Sequence, residues 1–103
     1  MATRDEETIE NEIEAKNLTA PRLTPALIDA AILKEAYHIF PGTVLTVCCL
    51  TLMNGYNVVG KSAPASVDNF DVELGRKIAR EDARRQIWAL EGYLLRTKLA
   101  EAV

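Results

Sequence analysis

The sequence predicts an α+β fold: an N-terminal helix, an antiparallel β-hairpin or three-stranded meander, then a long C-terminal helix. Three observations predict it. Thr24-Pro25 is a helix start, Asn54-Gly55 sits between two apolar runs as a hairpin signal, and an apolar stripe at helical spacing runs through the last third of the chain. At 103 residues the chain has the length of one domain. Residues 1–22 read as an acidic N-terminal arm and residues 23–103 as a single α+β domain.

Each element follows from its residues. In the arm, Ile9 and Ile13 are four apart and suit one short helical turn, although a solvated, frayed tail is the simpler expectation. Thr24 is placed as an N-cap, Pro25 as the first helical residue, and Leu23 and Ile28 as a hydrophobic staple. Ile28, Ile32 and Ala36 repeat every four residues, which predicts a helix over residues 24–35. Residues 37–40 then add a short strand before the Pro41-Gly42 turn.

A two-residue turn at Asn54-Gly55 pairs Met53 with Tyr56, Thr51 with Val58 and Cys49 with Gly60. One face of that hairpin carries Val44, Thr46, Cys48, Leu50, Leu52 and Val59. The other carries Leu45, Val47, Cys49, Thr51, Met53, Tyr56 and Val58. Neither face is polar, as in sheets covered on both sides, and so short a chain has few helices to cover both. A second subunit is the expected cover, and with it a homo-oligomer.

Asn69 is placed as the N-cap of the last helix, whose stripe runs Ala79, Ala83, Ile87, Leu90 and Leu94. Unbroken over residues 70–100 it would be about 46 Å long at 1.5 Å per residue. A compact domain of about 100 residues has a radius of gyration near 13 Å. The helix therefore either breaks near Gly92 into a helical hairpin or projects from the body.

Composition excludes several functions. The net charge of −3 resides in the arm, where Asp5, Glu6, Glu7, Glu10, Glu12 and Glu14 face only Arg4, Lys16 and Arg22. The rest of the chain is neutral and gives no general signal for nucleic acid. The apolar run Val44 to Met53 is far shorter than the roughly 20 residues of a membrane span, and no signal peptide is evident, so a cytoplasmic location is expected. Adjacent Cys48 and Cys49 cannot bridge one another without strain, and with the single His38 they do not make a zinc set. No metal or cofactor is expected, and without a phosphate loop or nucleophile motif neither is catalysis.

The residues that stand out are Arg76, Arg80 and Arg84, four apart on one ridge, with Lys77 beside them. Glu73 and Glu81 are spaced to reach Arg76 and Arg84, but Arg80 has no local carboxylate. It must face solvent, a carboxylate from elsewhere in the fold, or a bound anion. Guanidinium groups suit phosphate because their fork meets two oxygens at once. A solvated face is the alternative. Trp88 and Tyr93 are core or interface aromatics by the same measure, and Lys61 either joins the ridge or guards a strand edge.

A set of motifs carries a resemblance. Phe40-Pro41-Gly42-Thr43, Leu45-Thr46-Val47-Cys48, Leu50-Thr51-Leu52, Asn54-Gly55-Tyr56, Asn69-Phe70-Asp71, Gly75-Arg76-Lys77-Ile78-Ala79 and the run Ile87 to Leu95 resemble a family of small tailed-phage proteins of long-unknown function. The match covers roughly residues 23–98. This pattern is similar in turn to the phage anti-Thoeris sponges, which share a C-terminal helical hairpin with the anti-CBASS sponges. The resemblance implies a phage counter-defence protein of the host cytoplasm. Such a protein binds immune nucleotide second messengers (cyclic ADP-ribose isomers or cyclic oligonucleotides) without cleaving them, and does so as a dimer or hexamer.

It implies Arg76 and Arg80 as the paired basic residues, with Lys77 and Arg84 alongside and Asn69 and Phe70 contributing from the preceding motif. The stretch Ala63-Pro64-Ala65-Ser66-Val67 departs from the family's pattern. The competing reading is a small protein–protein inhibitor of a host factor that docks through the acidic arm.

Overall fold

A computed structural model describes residues 2–102. Its α+β architecture is a three-stranded antiparallel meander, order β1-β2-β3, under one long helix. The elements are α1 (Arg4–Ala15), α2 (Pro25–Ala30), β1 (Ile32–Ile39), β2 (Thr46–Leu52), β3 (Asn57–Ser62), a 3-10 turn (Val67–Asn69) and α3 (Val72–Glu101).

The arm is not a frayed tail. Thr3 caps α1 in a capping box: its hydroxyl accepts from the Glu6 amide while the Glu6 carboxylate accepts from the Thr3 amide. Asp5, Glu6 and Glu7 occupy the first turn, where the helix dipole favours acids. Asn17, at φ 56°, follows the end of the helix.

Thr24 and Pro25 start α2 as expected, but the helix ends at Ala30 and not near residue 35. Ile32 to Ala36 instead join the strand expected over residues 37–40, making β1, paired along β2 with a register shift between Ile32 and Lys34. Pairing with β2 overrides the four-residue repeat, and β-branched and aromatic side chains suit a pleated surface.

The Asn54-Gly55 turn is where the sequence puts it, with one residue more in its loop. Leu52 donates to the Tyr56 carbonyl at 2.7 Å and accepts from Gly55 at 2.9 Å, so Met53-Asn54-Gly55 is the loop. Gly55 takes the left-handed conformation at φ 89°. That single residue changes the register to Leu50↔Val58 and Cys49↔Val59, and exchanges the faces of β3. Val58, where the expected register put Val59, shares the buried face with Cys48, Leu50 and Leu52, and Val59 is exposed.

Asp71, not Asn69, caps α3, accepting from the Leu74 amide at 2.8 Å. The helix runs through Gly92 without a break and projects. At 1.5 Å per residue it is about 45 Å long, against a longest molecular dimension of 54 Å. Ala79, Ala83 and Ile87 pack with Ile28, Cys48, Leu50, Leu52 and Val58 as the core. Leu90 and Leu94 share the stripe but are 38% and 46% exposed, because the helix outruns the sheet. Gly60 is a point of close approach: a Cβ there would lie 2.2 Å from the Ala79 carbonyl oxygen and the Ala83 nitrogen.

Candidate functional site: a basic groove at the open sheet edge

Side chains two apart on a strand share a face, so Glu35 and Tyr37 both rise from β1 toward α3. Arg76 and Arg80, one turn apart on α3, meet them there. With Val72, Glu73 and Lys77 they line a groove of about 500 Å³. Arg80 Nε donates to Glu35 Oε2 at 2.7 Å, and Tyr37 Oη donates to Glu35 Oε1 at 3.1 Å. The Arg76 guanidinium lies 5.3 Å from the centre of the Tyr37 ring. Lys77 Nζ is 3.5 Å from Glu73.

Of the three partners open to Arg80, solvent, a distant carboxylate or a bound anion, the structure gives the carboxylate, Glu35. Among the described residues Arg76 makes no ion pair, and its exposed guanidinium lies against the Tyr37 ring.

The hydrogen bond from Arg80 holds the Glu35 carboxyl below its ordinary value. Burial, then the neighbouring Cys48 and Glu35, pushes the Tyr37 phenol up to about 12, so it stays a donor at physiological pH. Burial also raises the Cys48 thiol. Both cysteines are free.

The structure separates the residues that the sequence grouped. Arg76, Lys77 and Arg80 share this groove. Asn69 and Phe70 line a second groove of about 400 Å³ with Lys61, Ser62, Leu74 and Ile78. Arg84 lines neither: fully buried, it donates from Nε to Asp29 Oδ1 at 2.8 Å and from Nη1 to Glu6 Oε2 at 2.7 Å. Its Nη2 has no hydrogen-bond partner among the described residues.

Trp88 Nε1 also donates to Glu6, at 3.1 Å. Burial acts to raise Glu6, yet the bonds from Arg84, the Thr3 amide and Trp88 leave it lowered; Asp29 is likewise lowered, by Arg84 against burial. Sequence reasoning missed Glu35 and Tyr37, whose signal was their alternation with Ile39 in a strand read partly as helix. It also missed Glu6, whose signal was the Thr3–Glu6 capping spacing.

His38 stacks edge-on against Phe40 at 4.6 Å, away from the groove on the uncovered sheet face. Tyr93 is 79% exposed. Among the described residues no helix is long and apolar enough to cross a membrane.

A meander roofed by one long helix, with a groove lined by three cations and two carboxylates where the helix meets the sheet's first strand, defines a small α+β protein. Residues 23–99 match the Phage protein (N4 Gp49/phage Sf6 gene 66) family, and the chain belongs to that family. The match begins after α1, which is therefore an addition to the matched part. No curated protein and no solved structure matches the chain.

Proposed function

We propose that this phage-family protein captures a small nucleotide signal and holds it uncleaved, as a counter-defence sponge acting in the host cytoplasm. The ligand class is that of immune second messengers, cyclic ADP-ribose isomers or cyclic oligonucleotides, and the working form is a homo-oligomer. The observation that carries the reading is the groove in which Arg76 lies over Tyr37 with Lys77 and Arg80 on the rim. Guanidinium and ammonium groups bind phosphate oxygens, and an aromatic ring beside them offers a base or ribose a surface. The groove favours holding over cleaving, since its one hydroxyl, a phenol raised to about 12, is a poor nucleophile.

The test is native mass spectrometry of protein from a host with active nucleotide signalling, followed by calorimetry with a cyclic-nucleotide panel. Arg76→Ala removes one charged hydrogen-bonding group worth about 1.5–3 kcal/mol, so affinity should fall roughly 10- to 150-fold. Glu35→Gln should tighten binding, because it frees Arg80 and removes a negative charge from the wall. Unchanged affinity in Arg76→Ala would refute this site.

One observation favours a host-protein inhibitor instead: α1 lies outside the matched span and turns Asp5, Glu7, Glu12 and Glu14 to solvent. Deleting residues 1–22 would strip Glu6 from buried Arg84, so lysine at Glu7, Glu12 and Glu14 is the cleaner test. Those changes should spare nucleotide capture and abolish arm-driven inhibition.

A further inference from the structure

The two edges of the sheet are treated differently. On β3 the Lys61 amide donates to Asp82 Oδ2 at 3.0 Å, and Gln86 Nε2 donates to the Val59 carbonyl at 2.6 Å. Side chains of α3 thereby take up two of the backbone groups that β3 turns outward and lie across that edge. On β1 nothing equivalent exists among the described residues.

Which groups β1 leaves open follows from the register. The exchange between Leu52 and the Met53–Tyr56 turn directs the even-numbered residues of β2 at β3. Val47, Cys49 and Thr51 therefore direct their backbone at His38, Ala36 and Lys34. Glu35, Tyr37 and Ile39 are left with amide and carbonyl groups pointing off the sheet. β1 is also the longest of the three strands, at eight residues.

We infer that β1 is a self-association edge, where a second copy of this chain adds its own β1 antiparallel to make a six-stranded sheet. One edge free of such crossing side chains per copy suits a second copy, because a two-fold consumes both free edges and the assembly closes, whereas two free edges would propagate. A two-fold normal to the sheet near Ala36 and Tyr37 keeps each α3 on the same side. The rim beside the edge carries both signs, Glu35 and Glu73 with Arg76, Lys77 and Arg80, so it meets its own image without like-charge repulsion alone. The groove of one copy then adjoins the groove of the other. The edge argument rests on backbone groups; only this last consequence rests on the capture reading.

The experiment is sedimentation of the full chain across a concentration series, with residue-resolved amide exchange. A dimer is expected in which the Glu35, Tyr37 and Ile39 amides slow at high concentration and exchange fast in dilute solution. Lys34, Ala36 and His38 should be slow in both, because their amides face β2. Ala36→Lys places like charges beside the dyad on an exposed position and should give a monomer with those three amides still slow. A monomer at all concentrations overturns the inference. So does a dimer with a fast-exchanging 35/37/39 set, or one that Ala36→Lys leaves intact. A protected edge without nucleotide affinity refutes capture and leaves the edge standing; nucleotide binding by a monomer does the reverse.

Discussion

Gly60→Ala tests the packing that sets the groove. The added Cβ would stand 2.2 Å from the Ala79 oxygen and the Ala83 nitrogen and 2.9 Å from the Ala83 Cα, where ordinary contact begins at 3.4 Å. The obstacles are backbone atoms of a helix, so no side-chain rotation relieves them. The helix must retreat by roughly 1.2 Å, the difference between 3.4 and 2.2 Å. A gap of about 0.5–1 Å already forfeits a quarter to a half of the dispersion attraction between facing atoms, and the packing it loosens is that of Ala79, Ala83 and Ile87 on Cys48, Leu50 and Val58.

Overpacking typically costs about 1–3 kcal/mol, and a backbone collision belongs at or above the top of that range. At about 3 kcal/mol the melting temperature should drop by roughly 12–24 °C for a domain of this size, followed by circular dichroism. Gly42→Ala is the control: at φ +78° with nothing within 4 Å, it carries conformational strain alone and should cost about 1 kcal/mol. If Gly60→Ala costs no more than Gly42→Ala, the close approach of α3 to β3 is wrong.

Two further outcomes are expected. Gly92→Ala should raise stability by about 0.5–1 kcal/mol in thermal melts, since the helix is continuous there and the new Cβ meets only a Leu23 methyl at 3.7 Å; a loss would mean the helix needs that glycine. Glu6, Asp29 and Glu35 all have folded values below their ordinary 4.5, 3.8 and 4.5. Their contribution is therefore present above about pH 4.5 and lost as pH falls through the lowered folded values. Acid denaturation should begin in that window, and Glu6→Gln should cost about 1.5–3 kcal/mol at pH 7 while making the acid limb shallower. An unchanged limb would exclude Glu6 as a source of the acid sensitivity.

What was legible in the sequence is what local chemistry decides. Thr24-Pro25 started a helix, Asn54-Gly55 placed a hairpin, and the alanine stripe placed α3 on the sheet. Where two local patterns compete, partners elsewhere decide. Ile28, Ile32 and Ala36 satisfy a helical repeat, yet Ile32 to Ile39 faces a seven-residue strand with which it can exchange backbone hydrogen bonds. The hairpin register depended on one loop residue, which local signals do not count. Arg76, Lys77 and Arg80 could be placed together because helical spacing fixes neighbours. Glu35, 45 residues from Arg80, could not be joined to it by spacing at all.

The arginine ridge shows why identical spacing need not mean identical roles. Arg76, Arg80 and Arg84 each follow a buried small residue of the stripe, Gly75, Ala79 and Ala83, so each sits about 100° round the helix from the sheet contact. Each step of four advances about 40° round the helix, so Arg84 lies roughly 80° from Arg76, and the elements met at each angle decide the different fates. Beside Arg76 and Arg80 stands β1, whose Glu35 and Tyr37 leave a groove open to solvent. Beside Arg84 stand α2, with Asp29, and α1, with Glu6, and the guanidinium is enclosed completely. The groove therefore ends where α1 and α2 begin. Because α1 lies before the matched residues 23–99, the length of exposed basic ridge is set in part by an element outside that span. A ridge cut from three arginines to two fits the proposed capture of one phosphate-bearing ligand better than it fits the backbone of a long nucleic acid, which rewards a continuous track of cations.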